Sequence, residues 1–188
     1  MREIASDVWL FEGLRAGNVY LLGSGEGLTL VDTGLTSDVG QIVAQLEEGG
    51  FAPGHLQAVV LTHAHGDHAG GAAELARRSG ADVIAHQDEV PYIEQTRSLR
   101  PGSLIGQVMN WLSSRLVFRT SPCEVDRAVE DGDVIEGLGG LEVVHTPGHT
   151  PGSICFKVEG TPLLFTGDTL FPGGPGNTSF EHSDFDTI

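Results

Sequence analysis

Residues 62–71 read THAHGDHAGG and place three histidines and an aspartate, His63, His65, Asp67 and His68, within six residues. The run before them, LQAVVLT at 56–62, is short and almost continuously apolar, as a strand buried on both faces must be. The run after them, GGAAELARRSG at 70–80, has helix-forming composition and ends on glycine. A loop between a buried strand and a helix lies at the carboxyl end of a sheet, where open α/β folds place their ligands. Imidazole nitrogens suit zinc and its neighbours, and a carboxylate adds a harder oxygen donor. Crowding four such side chains gains nothing for packing, so a shared metal is the expected reason for them.

Working outward, DVWLF, NVYLLG and LTLVDTG carry β-branched and aromatic residues between turn formers and predict strands. Ser37 is the expected cap of the helical stretch DVGQIVAQLEEGG, which stops at Gly49–Gly50. ADVIAH predicts a strand after the second helix, and strand, helix, strand is the order of a parallel α/β sheet. From about Glu94 to Pro122 the pattern breaks, which predicts a lid or insertion over the site. LEVVHT, SICFKVEG and PLLFTGDTLF then predict three more strands. One α/β domain over residues 1–188 accounts for this order.

Charge narrows the partners. The 26 acidic residues outnumber the 10 basic ones for a formal net charge of −16, and Lys157 is the only lysine. Such a surface repels phosphate backbones and excludes nucleic acid as a partner. No apolar run is long enough for a membrane span, and no signal peptide precedes the first strand. Cys123 and Cys155 lack metal-site spacing and read as buried thiols. The expectation is a soluble, cytoplasmic protein acting on a small molecule, with its oligomeric state open, a dimer included.

Two further segments end on chemistry-bearing residues. HTPGHTPGS holds His149 in a turn fixed by Pro147, Gly148, Pro151 and Gly152, and FTGDTLF sets Asp168 at a strand end, as VDTG does Asp32. With these, the sequence from Val8 to Asn177 resembles the metallo-β-lactamase superfamily, particularly its glyoxalase II-like branch. THAHGDHAGG matches that family's HxHxDH motif, TPGHTPGS its next histidine motif and FTGDTLF its bridging-aspartate motif.

The resemblance implies an αββα four-layer sandwich with the site at one sheet edge, between two similar halves. It implies zinc as cofactor, one or two ions per chain, with iron or manganese as alternatives. His63, His65 and His149 would hold one ion; Asp67, His68 and Asp168 would hold a second, with Asp168 bridging. Asp67 would also steer the attacking water or pass a proton to the leaving group, and Asp32 would orient the metal loop through hydrogen bonds. His65 stands where related diiron oxygen-reducing proteins carry glutamate, which points to hydrolysis.

The family's last ligand histidine lies several tens of residues beyond the bridging aspartate, whereas this chain of 188 residues ends 20 residues after Asp168. His182, in the context EHSD, does not fit that role, so the second half and the second metal site are expected to be incomplete. His55, His86 and His145 read as structural or solvent-facing. No GxSxG elbow or phosphate-loop lysine offers a competing chemistry. The implied reaction is attack by a metal-activated hydroxide on a carbonyl, with thioesters first. Lactones, β-lactam-type amides, a mononuclear iron persulfide dioxygenase and a catalytically weak metal-binding remnant are the alternatives.

Overall fold

Both faces of the central strands are buried, and that fact organises the molecule. The computed structural model describes residues 1–23, 27–97, 120–137, 139–178, 183–184 and 187. Most of the expected lid and His182 lie outside the described residues.

The first sheet runs in chain order: β1 (Arg2–Ala5), β2 (Val8–Leu10), β3 (Tyr20–Leu22), β4 (Leu28–Val31), β5 (Leu56–Val60), β6 (Asp82–His86) and β7 (Arg127–Val129). Pairing is antiparallel up to β4 and parallel from β4 to β7. The parallel crossovers carry helices α1 (Val39–Glu48) and α2 (Ala72–Ser79), as parallel strands require. A short helix, α3 (Val90–Ile93), follows β6. The second sheet holds β8 (Val134–Ile135), β9 (Leu141–His145), β10 (Ile154–Val158) and β11 (Leu164–Phe165), all antiparallel in the order β11-β10-β9-β8. A small ribbon, β12 (Leu170–Phe171) with β13 (Gly174–Pro175), closes the described part.

Alternation along each strand sends neighbours to opposite sides. Leu21, Leu30, Val59 and Val83 join a core with Ile42 and Leu46 of α1 and Leu75 of α2. Leu22, Val31, Val60 and Ile84 point the other way, onto Leu141, Val143, Ile154 and Phe156 of the second sheet. Helix layer, sheet and sheet are therefore present; among the described residues no helix covers the outer face of the second sheet. Cutting a buried Ile42 or Leu46 to alanine in such a core costs about 2–5 kcal/mol.

Two local readings need correction. Ser37 does not cap α1: a 3-10 turn at Thr36–Asp38 leads into the helix, and the Asp38 carboxylate accepts the Leu35 N–H at 3.1 Å instead. Strands β1, β7 and β8 carry too few buried apolar residues to be legible, and each is held by pairing with its neighbour.

Candidate metal centre

Every side chain of the site stands at or just beyond the carboxyl end of a strand or in a loop next to one. Asp32 follows β4, His63 to His68 follow β5, His149 lies between β9 and β10, and Asp168 follows β11. The β5 loop is pinned from below: Thr33 donates from both its N–H and its hydroxyl to the His68 carbonyl, at 2.7 and 2.6 Å. The Thr36 hydroxyl donates to the Gly70 carbonyl at 2.7 Å. Gly70 has to be glycine, because a Cβ there would collide with the Gly66 carbonyl oxygen.

Hydrogen bonding decides which nitrogen of His63, His68 and His149 faces the site. Asp32 is buried, and its carboxylate accepts from the Thr62 N–H at 2.8 Å, the Thr62 hydroxyl at 2.9 Å and His68 Nδ1 at 2.8 Å. A carboxylate only accepts, so His68 carries a proton on Nδ1, while Nε2 lies 3.1 Å from Asp168 Oδ1, where either a second proton or a cation satisfies both groups. The Thr62 hydroxyl has given its hydrogen to Asp32, so it accepts from His63 Nδ1 at 3.1 Å. His149 Nδ1 donates to the Asn177 carbonyl at 2.7 Å. His63 and His149 thus aim Nε2 lone pairs at the same place, and both meet His65 Nδ1, at 3.1 and 2.9 Å.

Three ring nitrogens drawn together in this way match the donor triangle of a tetrahedral ion, where nitrogens about 2.0–2.1 Å from the metal lie about 3.3 Å apart. His63, His65 and His149 form one donor group, and His63, His68 and Asp168 form a second. Asp168 joins the two, with its other oxygen 3.5 Å from His149 Nε2.

Charge agrees with the geometry. Burial works against a proton on His68, but the Asp32 charge and hydrogen bonds to Asp168 and Asp32 outweigh it and raise its pKa to about 10. Burial likewise pushes Asp168 up, yet the His68 hydrogen bond, reinforced by His68, His149 and His65, holds it below its ordinary value. Positive charge is favoured at this point, whether a proton or a cation supplies it.

Asp67 is not brought into either donor group. The His68 and Ala69 N–H groups both bond to the His65 carbonyl, at 3.0 and 2.8 Å. That tight turn sends His68 inward and leaves Asp67 half-exposed, its backbone packed against Gly17.

His86 and His145 stack on each other with centroids 4.0 Å apart and 16° between planes, close to Asp88. Near-parallel rings at that spacing cannot both direct an in-plane lone pair at one ion, so the pair does not fit a metal. Burial first, and then His145, hold His86 below its ordinary pKa, and His145 Nε2 bonds to the Pro151 carbonyl at 3.0 Å.

The sequence reading missed Glu89. It is fully buried, and its carboxylate reaches the backbone of both histidine loops, accepting from Ala64 N–H at 2.7 Å and Gly152 N–H at 2.8 Å. The only signal was a glutamate just before a short helix, which reads as an ordinary helix start.

Known proteins resemble this chain in sequence and in fold. Residues 13–187 match the family model described as the metallo-beta-lactamase superfamily. The probable metallo-hydrolase YqgX of Bacillus subtilis is 30% identical over 172 residues, covering 91% of this chain and 74% of that protein. The hydroxyacylglutathione hydrolase GloC of Haemophilus influenzae is 29% identical over 138 residues, covering 71% of this chain and 59% of that one. A solved metallo-beta-lactamase from Cronobacter sakazakii, a mutant of its HARLDQ motif, superposes with a TM-score of 0.74 at 30% identity, over 92% of this chain and 66% of that one. Across the curated relatives, this chain spans from 41% to 74% of their length. The chain belongs to the metallo-β-lactamase superfamily.

Proposed function

We propose that this protein is a metal-dependent hydrolase of acyl thioesters, with zinc held first by His63, His65 and His149. The observation that carries the reading is the convergence of His63 Nε2 and His149 Nε2 on His65 Nδ1, at 3.1 and 2.9 Å, with the tautomers of His63 and His149 fixed by their outer hydrogen bonds. An ion held there supplies a water of pKa near 7 and polarises a carbonyl oxygen. The rest falls to the chain's own residues. Asp32 holds His68 by its Nδ1–H, and Asp168 lies between the two donor groups, so His68 and Asp168 would hold a second ion. One imidazole lone pair serves one ion, so with His63 engaged in the first group the second keeps only His68 and Asp168, and the three-histidine site is expected to be the tighter.

Asp67 stands outside both groups, and we assign it the passing of a proton to the leaving group rather than metal binding. That role is least demanding for a thioester, because a thiolate with a conjugate-acid pKa of about 8.5 leaves without prior protonation. An amide's amine does not. The likeness to a hydroxyacylglutathione hydrolase supports the same substrate class, since hydroxyacylglutathione is a thioester. Two buried, unpaired thiols at Cys123 and Cys155 suit a reducing compartment, and we place the protein in the cytoplasm.

The test is elemental analysis of the purified protein together with a panel of a glutathione thioester, a simple lactone and a β-lactam. Zinc at one or more equivalents, with turnover of the thioester above the others, is the expected result. Replacing His63 and His65 together by alanine should remove both metal and turnover. Full metal content in that double variant after dialysis against a chelator would overturn the ligand assignment. Preference for the β-lactam would move the substrate class to amides.

A further inference from the structure

Two loops carry the three-histidine group, and they come from different sheets. His63 and His65 follow β5 of the seven-stranded sheet, while His149 lies between β9 and β10 of the four-stranded one. Nothing in the motifs fixes the distance between these loops. Placing His65 Nδ1 and His149 Nε2 2.9 Å apart therefore needs a tie across the sandwich at this end.

One backbone bond supplies part of it, from Ile154 N–H to the Thr62 carbonyl at 3.0 Å. The side chain spanning the gap at the histidines themselves is Glu89. Its Oε2 accepts the N–H of Ala64, the residue between His63 and His65. Its Oε1 accepts the N–H of Gly152, three residues past His149, and the Thr150 side chain hydrogen-bonds to the same carboxylate group. The fit around it is close: a Cβ on Gly152 would lie 2.8 Å from Glu89 Cγ.

We propose that Glu89 is a positioning residue that sets the spacing between the His63–His65 loop and the His149 loop, and through it the affinity and geometry of the metal centre. The proposal rests on the reading of these histidines as a metal site.

A carboxylate is a costly choice for such a tie. Glu89 is fully buried, and burial raises its pKa against the hydrogen bonds from Thr150, Gly152 and Ala64 that lower it. An apolar residue would fill the volume at lower cost. What it could not do is accept from donors on two loops at once. All three partners of Glu89 present N–H or O–H groups, so two acceptor oxygens on one rigid fork are what the position requires. Glutamine keeps the shape but turns an NH2 group towards one of the backbone N–H donors and forces that loop away. Aspartate keeps both acceptors on an arm one methylene shorter, which reaches one loop and not the other.

The test compares the wild type with Glu89→Gln and Glu89→Asp. The readouts are Zn2+ affinity by competition with a chromophoric chelator, the visible absorption spectrum of the Co2+-loaded protein, and urea unfolding of the metal-free protein. Gln45→Ala serves as a control, because the Gln45 side chain ties α1 to the Glu12 backbone and bonds to neither histidine loop. It should lower stability and leave the metal readouts unchanged. Glu89→Gln should weaken Zn2+ binding by about tenfold or more and shift the Co2+ bands, with Glu89→Asp in between. If Glu89→Gln does not fold, Glu89→Asp decides on the same two readouts. A variant that loses stability as Gln45→Ala does, while keeping wild-type Zn2+ affinity and Co2+ spectrum, overturns the proposal. A wild-type protein that binds neither ion overturns the metal reading itself, and is told apart because the failure does not depend on Glu89.

Discussion

Replacing Asp32 by asparagine separates two functions that one carboxylate performs. Asp32 has a φ of 58°, in the left-handed region, and its carboxylate receives three donors: the Thr62 N–H and hydroxyl, and His68 Nδ1. Asparagine tolerates the same backbone and keeps one oxygen for the Thr62 N–H. Its NH2 group then faces His68 Nδ1 where an acceptor stood. The conflict is relieved if His68 gives up its Nδ1 proton and keeps the one on Nε2, and that removes the Nε2 lone pair a cation beside Asp168 would need. The expected stability loss is about 1–3 kcal/mol, the cost of poorly satisfied buried donors. The expected loss in metal affinity on the His68 side is about 10–100-fold, typical for a partner that orients a ligand. Asp32→Ala gives up every acceptor and also places an ordinary L residue in the left-handed region, adding about 1–2 kcal/mol. Urea unfolding of the metal-free variants and Zn2+ competition on the same samples measure both quantities. Asparagine with wild-type affinity for every zinc equivalent would refute the tautomer reasoning. Alanine no less stable than asparagine would refute the backbone argument.

Asp168→Ala should weaken both metal equivalents, since the carboxylate approaches both His68 and His149, whereas His68→Ala should spare the first; stepwise Zn2+ titration by calorimetry separates the two. Gly176→Ala should loosen the Asp168 end of the site, because a Cβ there would run into the Asp168 carbonyl oxygen and lie 3.4 Å from His149 Nδ1; lowered metal content with retained secondary structure is the readout. Burial, and then the charges of Asp126, Glu124 and Glu94, raise the Cys123 thiol to about 11, so at pH 8 only about 0.1% is thiolate. Alkylation of Cys123, followed by peptide mapping, should be slow in the folded protein and become rapid in urea; equal rates would show that the thiol is open.

The histidine pattern was legible because metal ligation constrains residue type as well as position. His63, His65 and His68 recur at spacings that only a loop after a buried strand brings to one point, and the glycine- and proline-rich surroundings of His149 mark a fixed turn. The strands were legible for a related reason. Burial on both faces writes an unbroken apolar run such as Ala58–Leu61, all of it in one or other of the two cores. Asp67 was less legible: its spacing places it among the ligands, while the donor groups formed by the described residues do not include it, and the backbone hydrogen bonds that shape its turn leave no trace in residue type. Ser37 failed as a cap for a similar reason, since the neighbouring Asp38 was already positioned to accept the Leu35 N–H.

Glu89 shows why a positioning side chain escapes a sequence reading. Its partners are the backbone of Ala64 and Gly152, 25 and 63 residues away, and neither residue type advertises a carboxylate. A ligand histidine is chosen for its own nitrogen; a tie between loops is chosen for the gap it spans, and the gap exists only once two sheets have packed. Packing of the interior between the sheets, around Phe156, Val60 and Val143, therefore belongs to the site as much as the histidines do. Interiors packed to crystal-like density resist sliding. That resistance is what allows His65 and His149, from two sheets, to hold their nitrogens 2.9 Å apart before any cation draws them together.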